Sequence, residues 1–171
     1  MIHATPEPAD IGLLRTAGPV SRLIRFGQWL NGDGFSAYGH AFLVLPDGQL
    51  IEAQPSGAAI GSLTRYERAR VTYVCPTDLT AQQRLDICTA ALRYIGVPYG
   101  FLDYAAIAAH RLHLPVPGLR RCIASSRQQI CSQLVDQCYK DAGVDLFTDG
   151  RWSGYVTPGA LYRILGRDGL T

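Results

Sequence analysis

The 171-residue sequence lacks the features that mark several large protein classes. No stretch approaches the roughly 18 consecutive apolar residues of a membrane-spanning helix, and the apolar run over 104–109 is far too short. The first residues show no basic stretch followed by an apolar run, so no secretory signal is expected. We therefore expect no integral membrane segment, and a protein that is cytoplasmic or delivered without a Sec signal, for example in a phage particle.

An excess of charge of one sign is also missing. The chain has 16 basic and 14 acidic residues, a net charge of +2, which is too small to require nucleic acid or an anionic membrane as an obligatory partner. The one local basic cluster, Arg120, Arg121 and Arg127, lies in a stretch rich in Pro and Gly that is typical of a solvated loop. We expect no nucleic-acid partner, and the sequence carries no signal for an oligomeric state.

The cysteines lack the pattern of a disulfide or zinc framework. Their number is odd and no CxxC pair occurs, which disfavours both; the five are Cys75, Cys88, Cys122, Cys131 and Cys138. Most of them are predicted to be small core residues. We expect no cofactor and no metal, although His110 and His113, three residues apart, leave a metal protein with a cysteine such as Cys122 as an alternative.

What the chain does contain predicts a single α+β domain over 1–171. An Asp47-Gly48 turn between two apolar runs is a strong hairpin signal. Further strands are predicted at 11–15, 58–60 and 70–75, and helices at 18–31, 80–95, 101–112, 129–142 and 158–165. This order favours an antiparallel sheet with helices packed on it.

The helix that begins at Thr80 has the clearest start signal. Thr80 and Gln83 have the spacing of a capping box, and Gly96 is the expected stop. The apolar residues at helical spacing predict its buried face: Leu85, Cys88, Leu92 and Ile95.

Cys131 is the residue with the strongest chemical signal. It lies in the first turn of a predicted helix, where free N–H groups and the helix dipole favour a thiolate. A thiolate is the form of cysteine that attacks carbonyl groups. The alternative is a small residue buried at a helix start.

His40 and Glu52 are the residues that could activate this thiol. His40 opens the apolar run of the first hairpin strand, and its unperturbed pKa suits a general base. Glu52 lies twelve residues later on the partner strand, opposite or diagonal to His40 across the turn, where a carboxylate can fix the imidazole's tautomer. The alternatives are a satisfied structural histidine and an exposed glutamate on an edge strand.

These motifs together resemble a known enzyme family. The turn Gly96-Val97-Pro98-Tyr99 followed by Ile130-Cys131-Ser132-Gln133-Leu134-Val135 resembles the nucleophile half of NlpC-type papain-like cysteine hydrolases. No histidine follows Cys131, whereas Tyr38-Gly39-His40 and Ile51-Glu52-Ala53 precede it. This order resembles the circularly permuted, YiiX-like branch, to which lecithin:retinol acyltransferase-like proteins are related. Ala9-Asp10-Ile11-Gly12 only approximates that branch's first strand, and Gln133 stands where Glu is frequent.

The resemblance implies a fold and a set of roles. The fold would be a permuted papain-like one, with a small barrel-like antiparallel sheet and the nucleophile at a helix N-terminus. Cys131 would be the nucleophile, His40 the general base and Glu52 the orienting residue, with Tyr38 and Tyr99 as substrate-binding residues of the cleft. The backbone N–H of Cys131 would be one oxyanion donor.

The predicted activity is that of a cysteine-dependent hydrolase or acyltransferase. A peptide, amide or acyl-ester substrate would form a thioacyl-enzyme that water or another nucleophile resolves. The family relatives suggest cell-wall peptides or lipid acyl groups, and the sequence does not decide between them. The alternative is a binding or structural module on the same fold with an unused site, such as a phage- or secretion-associated component.

Overall fold

In a computed structural model the chain has an α+β architecture built on an antiparallel sheet. The structure describes residues 2–17, 22, 25–26, 28–29, 32–54, 56–97, 131–151 and 153–166. Six strands occur in these ranges: β1 Ile2–His3, β2 Ile11–Arg15, β3 Tyr38–Val44, β4 Gln49–Gln54, β5 Gly57–Ser62 and β6 Val71–Val74. The helices are α1 Ala81–Leu92, α2 Cys131–Asp141 and α3 Pro158–Leu165, with short 3-10 helices at Leu63–Tyr66 and Ser153–Tyr155.

The strands follow the order β1-β6-β2-β3-β4-β5, and every pair is antiparallel. Within the described residues this order has two ends, so the sheet is open, with β1 and β5 at its edges. The family resemblance had instead implied a barrel-like sheet. The predicted strands at 11–15, 58–60 and 70–75 are confirmed as β2, β5 and β6. The position of β6 between β1 and β2 was not predicted.

The predicted β3–β4 hairpin is confirmed. Asp47 and Gly48 both have a left-handed backbone, with φ of 58° and 68°. Gly adopts this conformation without a steric cost and Asp tolerates it better than most residues, which is why this dipeptide reverses the chain here. The turn brings Leu43 opposite Ile51 and fixes the register that controls the site described below.

The two faces of the sheet bury different clusters. One face packs against α2 and α3, and its core residues include Ile11, Leu13, Ala41, Leu43 and Ile51. The other face carries a smaller cluster, Phe42, Val44 and Leu50, covered by Leu63, Tyr66, Val71 and Tyr73. Side chains alternate between faces along a strand, so Glu52 lies on the face opposite that of its neighbours Ile51 and Ala53.

The capping box of α1 is confirmed, but its predicted buried face is wrong except for Cys88. Thr80 accepts from the Gln83 backbone, and the Gln83 side chain accepts from the Thr80 backbone. Leu85, Leu92 and Ile95 are exposed, and the buried residues are Ile87, Cys88, Ala90 and Ala91. α1 packs against α2, and the small Ala91 side chain joins the core there, so packing overrides the periodicity of the larger residues.

The remaining helix predictions have mixed outcomes. The final helix, Pro158–Leu165, is confirmed at its predicted bounds, and the helix predicted over 129–142 is described as α2 from Cys131 to Asp141. In the segment predicted as helix 18–31, the described residues 22, 25, 26, 28 and 29 are helical. The predicted helix at 101–112, the Pro- and Gly-rich loop with its arginine cluster, His110, His113 and Cys122 lie outside the described residues. No helix in the described ranges is long and apolar enough to span a bilayer.

Candidate active site

His40 lies where the regular pairing of β3 is interrupted on both sides. Toward β2 the register shifts between Leu14 and Arg15, opposite His40 and Tyr38. Toward β4 the ladder consists of Leu43 with Ile51 and Val44 with Leu50, and it is not continued to His40. Such irregularities re-aim side chains at the end of a strand. Here the imidazole contacts both Glu52 on β4 and Cys131 on α2.

Glu52 is a buried carboxylate that accepts hydrogen bonds from four side chains. His40 Nε2 donates to its Oε2 at 2.8 Å, and Tyr66 Oη donates to the same oxygen at 2.6 Å. Gln54 Nε2 donates to Oε1 at 2.9 Å, and Arg65 Nη1 donates to it at 2.5 Å. Burial raises the pKa of this carboxyl group, but the hydrogen bonds, with His40 first, outweigh it and bring the pKa to about 2. Glu52 is therefore ionised at neutral pH, on an interior strand rather than an edge.

Cys131 is the first residue of α2 as the structure describes it, and its side chain is almost fully buried. Burial is the largest single influence and raises the pKa of the thiol, but the hydrogen bond and the charge of His40 are the main contributions that bring the pKa below its ordinary value. The backbone N–H groups of Ala41 and Ser132 also hydrogen bond the sulfur and act in the same direction. The Ser132 hydroxyl donates to the Val156 carbonyl at 2.6 Å, which holds the first turn of α2 in place.

The pKa of His40 is shifted in the complementary direction. Burial lowers the pKa of the imidazole, but the hydrogen bonds to Cys131 and Glu52, together with their negative charges, raise it to about 10. Because Nε2 is bonded to Glu52, Nδ1 is the ring nitrogen available to the sulfur. A thiol with a lowered pKa beside an imidazole with a raised pKa favours the thiolate–imidazolium pair, the reactive form of a cysteine nucleophile.

The other described cysteines lack this environment. Burial raises the pKa of Cys75 to about 11 and also raises the pKa values of Cys88 and Cys138. Cys138 lies on the same helix as Cys131 and is equally buried, yet the pKa of its thiol is raised rather than lowered. The difference is the contact with His40.

The two tyrosines predicted to line the cleft differ in outcome. The ring of Tyr38 is buried against Tyr162, with ring centroids 4.7 Å apart, and its hydroxyl hydrogen bonds Thr72 at 2.9 Å. These contacts make Tyr38 a core residue on the face that α3 covers, and its substrate-binding role stays a prediction. Tyr99 lies outside the described residues.

Sequence reasoning missed the donors around Glu52. Arg65 and Tyr66 belong to the 3-10 helix after β5, and the Tyr66 ring stacks on Phe42 with centroids 5.0 Å apart. The segment Leu63-Thr64-Arg65-Tyr66-Glu67-Arg68 resembles an ordinary polar connection. Only the three-dimensional position beside β4 shows that it holds the carboxylate.

The described residues contain no cluster of three or more metal-ligating side chains. The alternative metal set of His110, His113 and Cys122 lies outside those residues and stays untested. Searches for similar proteins gave no match, either to a protein-family model or to a curated protein. The arrangement of Cys131, His40 and Glu52 therefore has to be interpreted from its own geometry and chemistry.

Proposed function

We propose that this protein is a cysteine-dependent hydrolase or acyltransferase that works through a thioacyl-enzyme. Cys131 would be the nucleophile, His40 the general acid and base, and Glu52 the orienting carboxylate. The observation that carries the proposal is the continuous chain of contacts from the Cys131 sulfur through the His40 imidazole to the Glu52 carboxylate, with the pKa values shifted toward a thiolate and an imidazolium.

The reaction would begin with attack of the Cys131 thiolate on a carbonyl carbon. The imidazolium of His40 would then give its proton to the departing amine, alcohol or thiol as the carbonyl–heteroatom bond breaks and a thioester forms. Neutral His40 would take a proton from water, or from another acceptor nucleophile, which attacks the thioester and releases Cys131. Throughout this cycle Glu52 would keep the Nε2–H tautomer and the ring orientation fixed.

The developing negative charge on the carbonyl oxygen also needs donors. The backbone N–H of Cys131 is our proposed oxyanion donor, because N–H groups in the first turn of a helix have no acceptor within the helix. Ser132, with its hydroxyl fixed on Val156, would keep this turn in register with the attacking sulfur.

The resemblance to permuted NlpC-type hydrolases adds a substrate class to this chemistry. In that fold the histidine strand precedes the nucleophile helix, which is the order of β3 and α2 in this chain. Cell-wall peptide amides and lipid acyl esters are both compatible with the proposed mechanism. Since both proceed through a thioacyl-enzyme, a test of the intermediate applies to either.

Alkylation of the cysteines provides the first test. The protein is treated with iodoacetamide over a pH series, and labelling at each cysteine is measured by mass spectrometry. We expect Cys131 to react fast below about pH 7, where an ordinary thiol with a pKa near 8.5 is mostly protonated. Cys138 is the matched control on the same helix, and we expect it to stay unlabelled. In His40→Ala the advantage of Cys131 should disappear.

A chromogenic acyl ester extends this test to the intermediate. We expect a burst of released alcohol close to one equivalent per protein, which Cys131→Ser abolishes. If Cys131 reacts no faster than an ordinary thiol, or if His40→Ala leaves its rate unchanged, the catalytic proposal fails. The binding or structural module on the same fold would then be the better interpretation.

A further inference from the structure

Three aromatic side chains ahead of β3 form an exposed stack. The rings of Phe26 and Trp29 lie 5.7 Å apart and those of Trp29 and Phe35 lie 5.8 Å apart, measured between centroids. Their exposed fractions are 49%, 48% and 67%, respectively. We call these three residues the aromatic ladder. Single exposed apolar residues are ordinary, but a contiguous apolar patch of this kind marks an interaction site.

The ladder is held on a firmly attached scaffold. Gln28, between two of the aromatic residues in sequence, is buried; its Nε2 donates to the Tyr38 carbonyl at 2.8 Å, and its Oε1 accepts from the Gly159 N–H at 2.9 Å. Asp33 accepts from the Thr157 hydroxyl and pairs with Arg163, each at 2.8 Å. These bonds attach Gln28 and Asp33 to β3 and to the start and side of α3, so the exposed rings lie beside residues that are fixed to the rest of the fold.

Two arginines give the same surface a positive charge. Arg22 and Arg25 are exposed and helical, and with Phe26 and Trp29 they have the spacing of one helix face. Within the part of the chain that the structure describes, neither arginine forms an ion pair. The nearby carboxylate of Asp33 is almost fully buried and paired with Arg163, so its charge is already compensated.

We propose that the aromatic ladder, with Arg22 and Arg25, docks the protein on the surface of an anionic lipid bilayer. Aromatic side chains with basic neighbours partition into the interface, where rings enter the headgroup region and arginines attract anionic lipids. Stacking of nucleic-acid bases is the less favoured use. The Trp29 ring is stacked by Phe26 with an interplanar angle of 28° and by Phe35 with one of 17°, so its faces are already occupied.

Vesicle sedimentation tests this proposal without any reference to catalysis. The full chain is mixed with vesicles of phosphatidylcholine, or of an equimolar mixture of phosphatidylcholine and phosphatidylglycerol, and the bound fraction is measured. We expect binding to the anionic vesicles that weakens with salt, and little binding to the neutral ones. Trp29→Ala and Phe35→Ser should each lower the partition coefficient about tenfold. Arg22→Ala and Arg25→Ala should each lower it about fivefold.

Two exposed residues at α1 serve as matched controls. Leu85→Ser and Arg93→Ala remove an exposed apolar group and an exposed positive charge away from the ladder, and both should leave the partition coefficient unchanged. Phe35→Ser changes a residue outside any helix or strand, so it tests the ladder even if Trp29→Ala folds poorly. Equal binding to both vesicle types, or full binding by Phe35→Ser, would overturn the proposal. So would binding of a single-stranded oligonucleotide, or a dimer that the ladder variants dissociate, in place of vesicle binding.

Discussion

At the scale of single residues, Glu52 is the side chain on which the electrostatics of the site depend. It is ionised because four donors compensate its burial, and its charge in turn helps to hold the pKa of His40 near 10. These shifts favour a thiolate–imidazolium pair in the pH range above the lowered pKa of Cys131 and below the raised pKa of His40. Any change at Glu52 should therefore change the pKa of His40, which sets the highest pH at which the imidazolium and the thiolate coexist.

We expect Glu52→Gln to lower the upper pH limit of the range in which the thiolate–imidazolium pair is populated. The substitution removes the negative charge beside the imidazolium, so the pKa of His40 falls and the pair loses its proton at a lower pH. Hydrolysis of the model ester should fall about 10²-fold or more, since general acid–base catalysis contributes that much. A pH profile of the Cys131 alkylation rate measures the shift. The control is Glu67→Gln, which removes an exposed carboxylate; an unshifted alkaline limb in Glu52→Gln would contradict the role of Glu52.

Only part of this residue cluster could be predicted from the sequence. The Asp47-Gly48 turn is a local signal, so the hairpin and the proximity of His40 to Glu52 could be predicted from spacing. Arg65 and Tyr66 could not, because their contact with Glu52 depends on where the connection after β5 lies in three dimensions. The lowered pKa of Cys131 was expected from its place at a helix start. The raised pKa of His40 and the lowered pKa of Glu52 could not be predicted, since they sum burial with contacts from several elements.

At the scale of elements, the packing of β2 on β3 depends on a glycine. A Cβ atom at Gly12 would overlap the ring of Phe42, its partner across the two strands. Phe42 is fully buried and is stacked by Tyr66 with an interplanar angle of 7°, while Tyr73 meets it edge-on. The ring therefore has little room to move, and it fits because Gly12 has no side chain.

Gly12→Ala is expected to destabilise the protein by about 1–3 kcal/mol, the usual cost of overpacking a core. It should also slow alkylation of Cys131, because a displaced Phe42 moves Tyr66, a donor to Glu52. Gly61→Ala on β5 is the matched control, since a Cβ there meets the Leu50 side chain at an ordinary 3.4 Å. Denaturant unfolding measures both variants, and equal midpoints for the two would show that the Phe42 ring adjusts freely.

The helices illustrate why element predictions succeed or fail. Pro158–Leu165 and the start of α1 have caps within a few residues, Thr157 and Thr80, and local caps can be recognised in a sequence. The buried face of α1 was predicted wrongly, apart from Cys88, because hydrophobicity gives alanine little weight. Ala90 and Ala91 are nonetheless buried, because the face that α1 buries depends on the elements it packs against, which the pattern does not reveal.

At the scale of the whole molecule, α2 connects two clusters of polar side chains, one at Cys131 and one at Asp10. Its first residue, Cys131, contacts His40, whereas Tyr139, eight residues and about 12 Å along the helix axis, donates to the Ala9 carbonyl. Beside Ala9, the buried Asp10 accepts from His3 Nδ1 at 2.7 Å and from Arg84 Nη1 at 3.0 Å. The second cluster ties β1, α1 and α2 together, and these contacts span up to 130 positions of sequence, so no local pattern predicted them.

Arg84→Met should therefore lower the free energy of unfolding without changing the alkylation rate of Cys131. It leaves the Asp10 carboxylate buried without its guanidinium partner, and breaking a buried pair costs about 3–5 kcal/mol. Because His3 and the Glu7 N–H still donate to Asp10, we expect the lower end of that range. Asp10→Asn in the Arg84→Met background should recover part of the loss, since no buried charge is then left unpaired, and a double-mutant cycle of denaturant midpoints measures the coupling. Well below the unfolding transition, the alkylation rate of Cys131 should match that of the unmutated protein. A loss of stability together with a slower Cys131 would mean that the two ends of α2 are coupled, and that the polar cluster at Asp10 belongs to the function as well as to the fold.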